Sequence, residues 1–61
     1  MPRVIIQAVE GRTADQKRQL VKSVTDAVVT AYDVEPKTVT IVIEDIPKSN
    51  FAKAGVLAAE G

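Results

Sequence analysis

The chain carries one strand–helix–strand pattern, and this single unit sets the strongest limit on how 61 residues can fold. Residues 2–9 and 38–44 are rich in β-branched residues, which favour strands, and a helical period separates them. Two such strands joined by a helix form a parallel pair with one covered face. Because parallel sheets normally have both faces covered, we expect a second copy of the chain to supply the missing layer.

Local signals predict where the helix and the turns lie. Thr13 and Gln16 have the spacing of a capping box, which starts a helix, and Pro36 ends it near Asp33 because proline disfavours helical geometry in the preceding residue. Gly11 is the predicted turn residue before the helix, and Gly55 that of a short hairpin within residues 51–61. Residues 45–50 are predicted to form a loop. The apolar stripe of the helix is expected at Leu20, Val21, Val24, Ala27, Val28 and Ala31.

The absence of cysteine and histidine removes the usual supports of a small domain. Without cysteine there is no disulfide, and the lack of both residues disfavours a structural zinc site. It also excludes catalysis by Cys-His or Ser-His-Asp groups. Oligomerisation is the remaining way to stabilise so short a chain, so we expect a multimer.

Charge and aromatic content argue against nucleic acid as a partner. Eight basic residues balance eight acidic ones, so no net field attracts a polyanion. Tyr32 and Phe51 are the only aromatic residues, too few for a base-stacking platform. The apolar runs fall far short of the ~20 residues of a membrane span, and no signal-peptide pattern opens the chain. A cytoplasmic protein with no membrane partner is therefore expected.

The amino terminus offers an unusual base. Removal of Met1 would expose the secondary amine of Pro2 at the start of a strand. An apolar pocket and a nearby cation lower the pKa of such an amine. In its neutral form the amine is a general base, while Arg12, just past the far end of the same strand, is expected to hold an anionic substrate group.

These residues resemble the 4-oxalocrotonate tautomerase family. The shared features are a strand that begins Met-Pro, the run EGRTADQK at residues 10–17, and an aromatic residue, Phe51, after the polar loop 48–50. The similarity extends over essentially the whole chain without gaps.

The resemblance implies an α+β fold in one domain, residues 1–61, with a β-α-β unit and a short C-terminal hairpin. It implies sheets paired between two subunits and three such dimers in a homohexamer. The activity implied is a cofactor-free keto–enol tautomerisation of small 2-hydroxy-dienoic or arylenolpyruvic acids. Pro2 is then the general base, Arg12 binds a substrate carboxylate, and Phe51 lines an apolar pocket. Under this resemblance Phe51 and Arg12 lie near the Pro2 amine and lower its pKa.

Thr40 departs from the family pattern. Well-known members have a second arginine at this position in the second strand, whereas Thr40 offers one hydroxyl and no charge. Thr40 is either a substrate-binding residue or a plain β-former. Arg3 is the nearest cationic residue in the sequence that would compensate for the missing arginine. The alternatives are a non-catalytic or partner-dependent subunit of a hetero-oligomer, or a hydratase or dehalogenase on the same fold, which needs a water-activating carboxylate near Pro2.

Overall fold

A computed structural model describes all 61 residues. Its elements are strand β1, helix α1, strand β2 and a hairpin of two short strands, β3 and β4. Their bounds are Arg3–Val9, Ala14–Tyr32, Thr40–Ile46, Ala52–Lys53 and Val56–Leu57. Two 3-10 turns, Pro36–Thr38 and Lys48–Asn50, precede β2 and β3. The predicted α+β fold, a β-α-β unit with a C-terminal hairpin, is confirmed.

The strands β1 and β2 pair in parallel over their whole length, from Arg3 beside Thr40 to Val9 beside Ile46. Side chains alternate between the two faces of a sheet. Helix α1 covers the face that carries Asp45, which pairs with Lys17 of the helix. The opposite face, called the open face here, carries the odd-numbered residues of β1 and the even-numbered residues of β2.

A side-chain hydrogen bond crosses the open face. The Nε2 atom of Gln7 donates to Oε1 of Glu44 at 2.8 Å. Glu44 and Asp45 therefore project to opposite sides of the sheet and do not form a carboxylate pair.

Helix α1 begins and ends where local chemistry predicts. The backbone N–H of Gln16 donates to Thr13 Oγ1 at 3.1 Å, and the Thr13 N–H donates to Gln16 Oε1 at 2.9 Å. Asp33 caps the other end in the left-handed region, with φ of 54°. Of the predicted apolar stripe, Val21, Val24 and Val28 are half-buried, whereas Leu20, Ala27 and Ala31 are exposed. Neither this helix nor the 3-10 turns have the length and apolar character that crossing a membrane requires.

Strand β2 lies two residues later than predicted. Thr38 closes the preceding 3-10 turn, since both its N–H and its hydroxyl donate to Glu35 O, at 3.0 and 2.7 Å. At the other end the ladder with β1 extends to Ile46, whose carbonyl accepts the N–H of Glu10 at 2.9 Å. Asp45 and Ile46, predicted as loop, therefore belong to the strand.

The C-terminal hairpin forms as predicted around Gly55. Ala52 pairs with Leu57 and Lys53 with Val56, which leaves Ala54 and Gly55 as a two-residue turn. Both turn residues have positive φ, 53° and 81°, as the twist of a tight hairpin requires.

A single chain has no buried core. No residue is buried, and large apolar side chains such as Ile5 and Val56 are 57% and 52% exposed. The radius of gyration is 14.6 Å, whereas a compact chain of this length has about 10.5 Å. The single chain thus leaves much of its apolar surface exposed.

Candidate active site

Pro2 is held at the start of the sheet by Thr40. The backbone N–H of Thr40 donates to the carbonyl oxygen of Pro2 at 3.0 Å, and the Thr40 hydroxyl makes a longer contact of 3.4 Å to the same oxygen. Pro2 is half-buried. Met1 is 95% exposed, so its removal would leave this packing in place. With Met1 attached the Pro2 nitrogen is an amide; without Met1 it is a secondary amine.

Arg3 lies directly beside Thr40. The two residues are partners in the parallel ladder, both are exposed, and both project from the open face. The three salt bridges of the structure use other cations: Lys17, Arg18 and Lys37. Arg3 therefore presents an unpaired guanidinium one residue from Pro2.

Arg12 lies at the opposite end of β1. Gly11, with φ of 122°, turns the chain before it, and Arg12 then borders a half-open cleft of about 290 Å³ between α1 and the sheet. Ile6, Leu20 and Ile43 contribute the apolar lining. Arg12 forms no salt bridge, so its side chain is available for an anion beside this cleft, whose remaining lining includes Gln16 and the Lys17–Asp45 ion pair.

Phe51 lies at the same end of the sheet as Arg12. It is 45% exposed and borders a separate cleft of about 290 Å³ with Gln7, Ala8, Val9 and Ile46. Gln7, Val9 and Ile46 of this lining lie on the open face, across the sheet from the cleft of Arg12. The ring thus has apolar neighbours and a free surface.

Glu10 ties the two regions together, a role that sequence reasoning missed. Its Oε2 atom accepts the backbone N–H of Lys48 at 3.0 Å. The turn that leads to Arg12 is thereby joined to the segment that leads to Phe51. The only sequence signal was the position of Glu10 beside Gly11, and no local rule pairs it with a residue 38 positions later.

The structure brings Pro2 together with Thr40 and Arg3, but not with Arg12 or Phe51. The seven residues of β1 span about 23 Å at ~3.3 Å per residue, and they separate the two groups. Within one chain, Arg12 and Phe51 therefore do not adjoin Pro2. An extended strand keeps its ends apart, so only different chains could combine the groups.

Two acidic residues near β2 are already paired. Glu35 forms a salt bridge with Lys37 at 3.2 Å, and Glu44 accepts from Gln7. Asp33, the C-cap of α1, forms no salt bridge or side-chain hydrogen bond. No three Asp or Glu residues come together in a way that could hold a metal ion.

Comparisons with known proteins agree with this fold. The tautomerase enzyme family matches residues 2–60. A 2-hydroxymuconate tautomerase of Comamonas testosteroni is 40% identical over 60 residues, 98% of this chain and 95% of the relative. A 4-oxalocrotonate tautomerase isozyme of Methylibium petroleiphilum superposes with a TM-score of 0.90 at 41% identity, covering 95% of this chain and 91% of that one. A heterohexamer 4-oxalocrotonate tautomerase of Chloroflexus aurantiacus superposes with a TM-score of 0.91 at 30% identity, covering 98% of this chain and 97% of that one.

Proposed function

Because the chain belongs to the tautomerase family of isomerases, we propose that it is a cofactor-free keto–enol tautomerase of small 2-hydroxy-dienoic or arylenolpyruvic acids. The observation that carries this proposal is the position of Pro2. The residue stands at the open start of β1, behind an exposed Met1, and the Thr40 N–H holds its carbonyl. Loss of Met1 leaves a fixed secondary amine there.

The reaction transfers one proton from the enol oxygen to a carbon of the same substrate and needs no second reactant. The neutral Pro2 amine takes the proton of the enol O–H, and the oxygen electron pair forms the C=O bond. The π electrons of the diene shift to the distal carbon, which forms a C–H bond with the proton from the Pro2 ammonium. The amine is restored, and a positioned base of this kind contributes about 10²–10⁴ in rate.

Arg12 and Phe51 act from a neighbouring chain in this proposal. Arg12 is unpaired beside an apolar cleft, which suits a carboxylate on an unsaturated hydrocarbon chain. A charge-assisted contact of Arg with carboxylate is among the stronger hydrogen bonds in proteins. Phe51 supplies apolar surface at the same end of the sheet, and Thr40 offers a hydroxyl beside Pro2.

The site is therefore incomplete without assembly, and we propose a homohexamer built from three dimers. The lack of any buried residue in one chain supports this, as does the extended shape of the protomer. Sedimentation analysis with circular dichroism over a dilution series would test it. A folded monomer at micromolar concentration would contradict the proposal.

Chemical synthesis of the chain with and without Met1 tests the base directly. The trimmed chain should remove the enol absorbance of 2-hydroxymuconate, and the chain with Met1 should not. A trimmed chain carrying an N-acetyl group on Pro2 is the matched control, since it blocks the amine without adding a residue. Equal rates for the three chains at matched assembly would refute Pro2 as the base.

A second candidate function is a partner-dependent subunit of a hetero-oligomeric tautomerase. The observation that favours it is Thr40, which brings no charge to the Pro2 end of the sheet. In that case the trimmed chain would assemble but turn over no enol by itself. Activity of the pure trimmed chain would exclude it.

A further inference from the structure

We propose that Arg3 is the cationic residue that binds the substrate oxygens beside Pro2, an inference that rests on the proposed function. Arg12 is separated from the Pro2 of its own chain by the length of β1. The reaction nevertheless develops negative charge on the enol oxygen when Pro2 removes its proton. Because the Arg12 of a neighbouring chain is assigned to a substrate carboxylate, a second positive group is needed for this oxygen at the Pro2 end of the sheet.

The register of the sheet places Arg3 at this position. Arg3 and Thr40 are ladder partners, and neighbouring strands lie about 4.8 Å apart. Both side chains project from the open face, and the Thr40 N–H donates a hydrogen bond to the Pro2 carbonyl oxygen. Arg3, Thr40 and Pro2 thus form one compact group at the start of the two strands.

The charges around this group leave Arg3 available. Lys37, in the turn before β2, is paired with Glu35 at 3.2 Å. Lys48 and Lys53 lie beyond the other end of β2. Arg3 forms no salt bridge or side-chain hydrogen bond, and Glu44, the acidic residue on the open face, is held by Gln7.

Thr40 does not replace this charge. Its N–H is used by the Pro2 carbonyl, and its neutral hydroxyl is 3.4 Å from the same atom. A guanidinium instead offers several N–H donors in a planar fork, which suits two oxygens in one plane. The ligand class that fits is an acid whose carboxylate adjoins the enol or keto oxygen, because one carboxylate oxygen and that oxygen can face the fork together.

The test uses trimmed chains and two readouts. Binding of 2-oxoadipate, a saturated 2-oxo dicarboxylate, is measured by calorimetry, and turnover of 2-hydroxymuconate is measured by absorbance. The variants are Arg3→Gln, Arg3→Lys and Arg3→Gln combined with Thr40→Arg. Arg18→Gln is the control, since Arg18 pairs with Asp15 on the exposed side of α1.

We expect Arg3→Gln to lower kcat/KM about 10²-fold, the loss typical of removing a donor to a developing oxyanion, and to weaken binding of the oxo acid at least tenfold. Arg3→Lys should retain part of the turnover and part of the binding. Adding Thr40→Arg to Arg3→Gln should raise kcat/KM at least tenfold above that of Arg3→Gln alone. The Arg18→Gln control should match the parent chain.

The two readouts separate the two proposals. A parent chain that binds the oxo acid through Arg3 but turns over no enol would refute the tautomerase proposal and support the anion site. Equal binding by the parent chain and Arg3→Gln would overturn the role of Arg3, whatever the rates show.

Discussion

The backbone N–H of Thr40 donates to the carbonyl oxygen of Pro2 at 3.0 Å and so joins the first residue of β2 to the residue before β1. This bond makes the position of the Pro2 nitrogen a property of the sheet rather than of a loose terminus. In the proposed site, it also sets the Thr40 side chain near a substrate at that nitrogen.

Thr40→Val should separate the two contributions of this residue. Valine keeps the shape and the backbone N–H but removes the hydroxyl, so Pro2 stays in place. If the hydroxyl donates one neutral hydrogen bond to substrate, its loss costs about 1 kcal/mol, or roughly fivefold in kcat/KM. Enol turnover and thermal unfolding are measured together, and unfolding should be unchanged. An unaltered rate would identify Thr40 as a plain strand residue.

Arg12→Ala should weaken the handling of carboxylate-bearing enols. The change removes a charge-assisted contact at the cleft between α1 and the sheet, where Arg12 forms no salt bridge with another side chain. We expect KM for 2-hydroxymuconate to rise at least tenfold while assembly, measured by sedimentation, is retained. Arg18→Ala is the matched loss of an arginine. Unchanged kinetics in Arg12→Ala would show that Arg12 is a surface residue with no part in substrate binding.

Glu10→Ala should act through position rather than contact with substrate. It breaks the 3.0 Å bond to the Lys48 N–H and releases the segment that leads to Phe51. Loss of one such bond costs about 1 kcal/mol of unfolding free energy. We expect a lower melting temperature and a raised KM, with Glu10→Gln recovering most of both because the amide oxygen still accepts. If Glu10→Gln behaves like Glu10→Ala, the negative charge matters instead of the hydrogen bond.

The pH dependence of the trimmed chain should show the base at work. The active form is the neutral amine, so kcat/KM should rise with pH as the Pro2 ammonium loses its proton and then reach a plateau. The chain with Met1 or with N-acetyl-Pro2 has an amide nitrogen and should lack this rise. Pro2→Ala leaves a primary amine, so a displaced rise should persist. If kcat/KM of the trimmed chain does not change with pH, the terminal amine is not the general base.

The sequence by itself determined the features that depend on neighbours along the chain. Thr13 and Gln16 set the start of α1, Gly11 and Gly55 mark turns, and β-branched runs mark the two strands. These were predictable because a cap, a left-handed turn and a strand propensity each involve residues a few positions apart.

Only the tertiary structure decided which side chains share one end of the sheet. The register of β1 against β2 sets Arg3 beside Thr40 and carries β2 on to Ile46. It also keeps Arg12 at the far end from Pro2 and lets Glu10 reach Lys48. These relationships join residues nearly forty positions apart through ladder hydrogen bonds, and a slip of one residue would turn every side chain of a strand to the other face. No local sequence pattern determines this register, because it depends on the pairing of the two strands over their whole length.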